Sequence, residues 1–145
     1  PIPQSPFTNP QSPFPNPQQP ITNPQSLNKM THKNLELWKL SIGFVTNVYK
    51  VCKQLPDSEK FGLISQIQRA SVSIPTNIAE GAARKNTKEY IQFLHIALGS
   101  CSEVDTLIQI TKNIYSVDMV SLEDANTQIS KMLVGLIKSL KSKLV

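Results

Sequence analysis

A proline inside a helical stripe is the feature that most narrows what this chain can fold into. Ile64, Ile67, Ser71, Ile74 and Ile78 recur in alternating steps of three and four, the period of a helix seam and not of a strand. Pro75 lies within that seam. It has no amide to donate and its ring crowds the carbonyl of Ser71, so the spacing predicts one long helix bent at Pro75 instead of two separate elements. Ser71 and Asn77 flank the bend, where short polar side chains satisfy backbone groups that the proline leaves unpaired. Gly81 marks the place where this helix is expected to begin to fray.

Helical periodicity continues on both sides of this run. A first helix is expected from about Asn34 to Gln54, with Asn34 as N-cap and Pro56 just past the end. Its apolar residues form one stripe at Trp38, Ile42, Val45, Tyr49 and Cys52, and a second beside it at Leu37, Phe44, Val48 and Val51. The second helix, carrying Pro75, is expected to start near Asp57 or Ser58 and to reach about Ala83. After the turn Arg84-Lys85-Asn86, Asn86 and Glu89 stand at capping-box spacing for a third helix from about Thr87 to Tyr115. That helix has a regular stripe at Tyr90, Leu94, Ala97, Cys101, Val104, Ile108, Thr111 and Tyr115, and a flanking one at Phe93, Ile96, Leu107, Ile110 and Ile114. Two apolar stripes need two covering surfaces, which points to a subunit interface. A fourth helix begins after Ser121, with Asp124 as capping partner, and runs to about Lys143. Four helices with short connections make an all-α, antiparallel up-and-down bundle.

The run from Phe61 to Glu103 also resembles a known family. The carrying residues are Phe61-Gly62-Leu63, Ser65-Gln66-Ile67, Arg69-Ala70, Val72-Ser73-Ile74-Pro75, Asn77-Ile78-Ala79-Glu80-Gly81, Lys88-Glu89, Phe93-Leu94, Ile96-Ala97 and Gly99-Ser100. Together they resemble the signature of the small four-helix-bundle proteins often encoded in intervening sequences of bacterial 23S ribosomal RNA genes, the S23 family. The match extends over about residues 34 to 142. The resemblance implies an up-and-down bundle assembled into a ring-like homopentamer. It also implies kinship with the basic accessory protein of diversity-generating retroelements, which binds a reverse transcriptase and its RNA.

The first 29 residues are of a different kind. Pro3–Asn9, Pro10–Asn16 and Pro17–Asn23 are tandem copies of one seven-residue unit, followed by Pro24-Gln25-Ser26, and nine of the eleven prolines lie in residues 1–28. So many missing donors oppose helix and sheet, and the three large apolar residues of the repeat, Phe7, Phe14 and Ile21, cannot form a core, so residues 1–29 are expected to be extended and disordered. Such a segment is either a proline-rich ligand for an aromatic groove or a translated DNA repeat upstream of the start at Met30. On the second reading a chain begun at Met30 is a complete domain, residues 30–145, with unchanged stability and assembly.

Charge and cysteine usage bound the partners. The net charge of +5 is carried wholly by residues 29–145; it steers toward anionic partners without identifying one. Cys52 and Cys101 lack any C-x-x-C spacing and read as buried thiols of a reducing, cytoplasmic compartment. No stretch has the length of a membrane span or the pattern of a signal peptide.

No catalytic constellation is legible. His32 and His95 form no triad pattern, the two cysteines and two histidines lack metal-ligand spacing, and the five glycines are isolated, without a phosphate loop. No catalytic residue, metal or cofactor is expected. Glu80 and Arg84 stand at the spacing of a helical ion pair. Basic residues gather in two places: Arg84, Lys85 and Lys88 around the second turn, and Lys131, Lys138, Lys141 and Lys143 on the last helix. In one copy these are solvated faces; repeated around a ring they become a concentrated positive surface suited to phosphate. The reading is a non-enzymatic, oligomeric binding protein whose partner is structured RNA or a nucleic-acid-processing protein, contacted through Arg84, Lys85, Lys88, Lys138, Lys141 and Lys143. The alternative is an assembly module that binds protein only.

A hairpin turning near Asn86 sets a register. Residue 69 then meets residue 103, so Arg69 and Glu103 are expected to pair across the helices; Ser73 faces Gly99, whose missing side chain lets the backbones approach, and Asn77 faces His95.

Overall fold

The computed structural model describes residue 32 and residues 35–144, so the proline-rich repeat and the cap expected at Asn34 lie outside the described residues. Four helices follow in order: α1 (Glu36–Cys52), α2 (Leu63–Ala82), α3 (Thr87–Ile114) and α4 (Val120–Ser142), with a 3-10 turn at Asp57–Glu59 before α2. Each helix packs on its neighbours in the cycle α1–α2–α3–α4, and among the described residues no Cα atoms of the diagonal pairs come within 8 Å of one another. With short connections this is the up-and-down bundle, and the α2–α3 hairpin has the most extensive contacts.

The core is one cluster drawn from all four helices, with Phe44, Val48, Ile67, Ile74, Ile78, Leu94, Val104, Ile108, Ile129 and Leu133 at its centre. In α1 the core takes the second of the two stripes, together with Cys52 from the end of the first. Leu37, Phe44 and Val48 are buried, whereas Ile42 and Tyr49 of the neighbouring stripe stand exposed, Tyr49 by 45%. Two adjacent stripes of equal hydrophobicity cannot both face one axis, and packing on α2 and α4 selects the one aligned with it. In α3 the regular stripe is the buried one, and of its flank Ile96 and Ile114 remain 53% and 58% exposed.

Helix ends depart from expectation where backbone capping is tertiary. α2 starts at Leu63, not near Asp57, because Asp57–Glu59 winds as a 3-10 turn and Glu59 then folds its carboxylate onto the helix start, accepting 2.9 Å from the Leu63 amide. α4 starts at Val120, one residue before Ser121. Its first amide is met by Asp118 Oδ1 at 3.0 Å, and Asp124 takes no part in a cap. The cap on α3 forms as expected, Asn86 Oδ1 accepting 2.8 Å from the Glu89 amide.

α2 runs unbroken through Pro75. Around the site of the missing amide, Thr76 Oγ1 donates to the Val72 carbonyl and Asn77 Nδ2 to the Ser73 carbonyl, each at 2.7 Å. Side chains thus add donors to the carbonyls beside the proline. Ser71 does otherwise: its hydroxyl turns back to the Gln68 carbonyl at 2.8 Å. Gly81 does not fray the helix but is buried within it, for the reason given below.

Candidate nucleic-acid interface

Antiparallel connection places the α2–α3 turn and the C-terminus of α4 at the same end of the bundle. Lys85, Lys88 and Leu144 line one cleft there, of about 510 Å³, together with Asn86, Thr87, Glu89 and Gln92. The two basic clusters, far apart in sequence, are thereby brought to one end. All six expected cations, Arg84, Lys85, Lys88, Lys138, Lys141 and Lys143, are exposed. Among the described residues the ion pairs are Lys39–Glu36 at 3.3 Å and Lys112–Glu123 at 2.7 Å, so none of the six is engaged in one. Lys131 lies halfway along α4, away from this end.

Arg84 lies against an aromatic ring. Its guanidinium carbon sits 4.7 Å from the centre of the Phe93 ring, and the expected Glu80–Arg84 pair is not made. This cation–π contact leaves the guanidinium N–H donors available to a partner. Among the described residues Glu36, Glu80 and Glu89 are carboxylates of this end, where the C-termini of α2 and α4 favour cations and the N-termini of α1 and α3 oppose them.

The expected hairpin register is realised, with different occupants. Ser73 and Ser100, one residue from the expected Ser73–Gly99 pairing, share a hydrogen bond of 2.8 Å, and Asn77 Nδ2 donates 2.9 Å to the Ser73 hydroxyl. His95 is exposed, and Asn77 turns to its own helix instead. Gly99 is not the point of close approach: a Cβ there would meet nothing within 4 Å. Gly81 is that point. A Cβ on it would lie 2.8 Å from Phe93 Cβ, 2.8 Å from Tyr90 Cδ2 and 3.2 Å from the Tyr90 carbonyl. Arg69 and Glu103 do line one cleft, with Gln66, Ala70 and Ser73, but make no ion pair; both are exposed, and solvated ends leave each free of the other. Pro75 is buried and faces a groove against α1.

Three features had no counterpart in the sequence reading. Glu59 joins both loops at the opposite end of the bundle: besides capping α2, its Oε1 accepts 2.8 Å from the Tyr115 hydroxyl. The Leu63 amide first, and then the Tyr115 hydroxyl, hold the Glu59 carboxyl below its ordinary value, while the same bond pushes the phenol up. Beside it Phe61 stands 90% exposed, with the Lys60 ammonium 5.6 Å from its ring centre. In the α3–α4 seam, buried Asn126 donates from Nδ2 to the Cys101 carbonyl at 2.9 Å, its Oδ1 without a partner. A polar side chain on an otherwise apolar seam is the one signal that could have found Asn126.

Cys52 and Cys101 are buried free thiols; burial pushes Cys52 up to about 11 and Cys101 up as well, away from the thiolate that nucleophilic chemistry needs. Among the described residues no group of three or more His, Cys, Asp or Glu is placed to hold a metal, and no helix is long and apolar enough to cross a membrane.

Comparison with known proteins gives one family and one fold. The sequence profile described as 23S rRNA-intervening sequence protein matches residues 33–135. Among solved structures, the chain is similar to a protein of unknown function from the S23 ribosomal protein family of Bacteroides thetaiotaomicron VPI-5482, with a TM-score of 0.64 and 24% identity, over 70% of this chain and 98% of that one. At that identity the likeness speaks for the fold. A comparison with curated proteins finds no match.

Proposed function

The chain belongs to the 23S rRNA-intervening sequence protein family, and from that premise we propose that it is a non-enzymatic, ring-forming binding protein that receives structured RNA on the basic end of its bundle. The observation that supports this reading is the antiparallel helix order, which carries the α2–α3 turn with Arg84, Lys85 and Lys88 and the last turns of α4 with Lys138, Lys141 and Lys143 to the same end, where Leu144 lines a cleft with Lys85 and Lys88. Six cations without carboxylate partners among the described residues are matched to phosphates, and Arg84 beside the Phe93 ring keeps a guanidinium fork free for one of them.

Assembly multiplies this surface. Exposed Ile42 and Tyr49 on α1, and Ile96, Ile110 and Ile114 on α3, give each copy apolar area on two different helices. Two unlike surfaces that mate head to tail generate rings when the rotation closes. Repetition around an axis then sums the field of a modest charge. The alternative, an assembly module for protein alone, draws on the same exposed isoleucines and gives the basic end no role.

Salt dependence separates the two. Binding of the full chain to a duplex-containing RNA hairpin, followed by fluorescence anisotropy, is expected to weaken steeply with salt, and Lys85→Gln with Lys88→Gln to reduce the log–log slope by about two. A slope near zero, or one that the variant leaves unchanged, removes the RNA reading and favours the protein-only module.

A further inference from the structure

Phe61 is the most exposed large apolar side chain of the described residues, at 90%, yet it stands on a loop built to hold it still. Glu59 fastens that loop on both sides, to the Leu63 amide at 2.9 Å and to the Tyr115 hydroxyl at 2.8 Å, and a Cβ on Gly62 would meet Glu59 Oε2 at 2.6 Å. A rigid loop presenting an aromatic ring to solvent is preorganised for a partner, because little entropy remains to be lost on docking.

A receptor for such a ring exists on the same molecule. Between α1 and α2 lies an apolar groove of about 470 Å³, walled by Trp38, Ile42, Val45, Val72, Pro75 and Ala79, with the Glu80 carboxylate on its lining. Phe61 cannot reach its own groove: along α2 the stretch from Leu63 to Val72 and Ala79 spans about 14 to 24 Å at 1.5 Å per residue. A second copy can supply it. Charge agrees with this occupant, since Lys60 travels with Phe61 and Glu80 borders the groove, both exposed and neither in an ion pair among the described residues.

We propose that Phe61 of each copy inserts into the α1–α2 groove of the next, with Lys60 against the neighbour's Glu80. The contact rests on the ring reading above and names its two mating surfaces. It also explains why the outward stripe of α1 is apolar: Trp38, Ile42 and Val45 are the wall of a neighbour's socket. Knob and socket are different patches, so the interface is heterologous and propagates from copy to copy.

Mixing two half-dead variants tests it. Phe61→Ala removes the knob and Val72→Arg blocks the socket, and circular dichroism melts establish that both fold. By analytical ultracentrifugation the unaltered chain is expected to be an oligomer. Each variant alone should be a monomer, the loss of one buried phenyl ring weakening the contact by roughly 30-fold or more. Mixed, they should form a one-to-one dimer and nothing larger, because one intact knob meets one intact socket. Lys60→Glu should weaken assembly a few-fold and Glu80→Lys in the same chain should restore it. If the unaltered chain is a monomer, the ring reading falls. If it is an oligomer that Phe61→Ala leaves intact, or if the mixture yields no dimer, the ring stands and this contact is overturned, with Phe61 covered by a different molecule.

Discussion

The two seams of α3 are built on opposite plans. Against α2 the helix meets small residues: Gly81 lies under Tyr90 and Phe93, and Ser73 and Ser100 join hydroxyl to hydroxyl. Against α4 it meets reaching side chains, the buried Asn126 amide bonded to the Cys101 carbonyl and Lys112 paired with Glu123 at the rim. The first seam is set by how closely two backbones come. The second is set by what spans a wider gap, and it tolerates an amide oxygen left without a partner. Added volume should therefore damage the α2–α3 seam, and removed polarity should cost the α3–α4 seam nothing.

Gly81→Val is the strongest way to break that contrast. Its Cβ has no room, so a loss of about 3 kcal/mol in chemical denaturation is expected, whereas Gly99→Ala, in open space on the same hairpin, should stabilise by up to about 1 kcal/mol. Equal effects at the two glycines would end the idea of a single point of close approach. Next in size is Asn126→Leu, expected to stabilise by about 1 kcal/mol because it removes an unpaired buried oxygen at the cost of one hydrogen bond. A destabilised variant there would mean that the amide is needed to hold the register of α4.

A subtler comparison is between these seams and the loop that fastens their far ends. Because the Glu59 carboxyl is held below its ordinary value, its bonds contribute fully above about pH 4.5 and are lost as the pH falls through the lowered value. Tyr115→Phe removes one of them, so its melting temperature should lie below that of the parent at neutral pH, and the gap should narrow under acid. A gap independent of pH would detach Tyr115 from the carboxylate. The smallest expected effect belongs to Arg69 and Glu103. A double-mutant cycle should give a coupling below about 0.5 kcal/mol, as for exposed charges without a fixed geometry; a coupling of several times that would restore the pair to the hairpin.

Periodicity carried the fold because it is a local property. Steps of three and four placed all four helices, and the turn near Asn86 placed Ser73 within one residue of its true partner. What remained hidden depended on choices between near-equal local alternatives. The two stripes of α1 differ little in composition, and only the positions of α2 and α4 decide which is buried. Gly81 and Gly99 are equally bare in a sequence; their difference lies in whether Tyr90 and Phe93 stand opposite. Phe61 entered the sequence reading only as part of a signature, and its exposure shows only once α2 is seen to start at Leu63, after a 3-10 turn. The basic end was legible as two clusters, and their union required the chain to return through α4.

The buried thiols give the molecule an internal clock. Cys52 closes α1, and Cys101 sits in mid-α3 beneath α4; both are free, both shielded, and both raised away from the reactive thiolate. An alkylating reagent can therefore reach each sulfur only as fast as its own part of the bundle opens. Fraying of a helix end exposes the first, while the second waits for α3 and α4 to separate. Two labelling rates on one unmodified chain thus time two different breathing motions, without any probe being added.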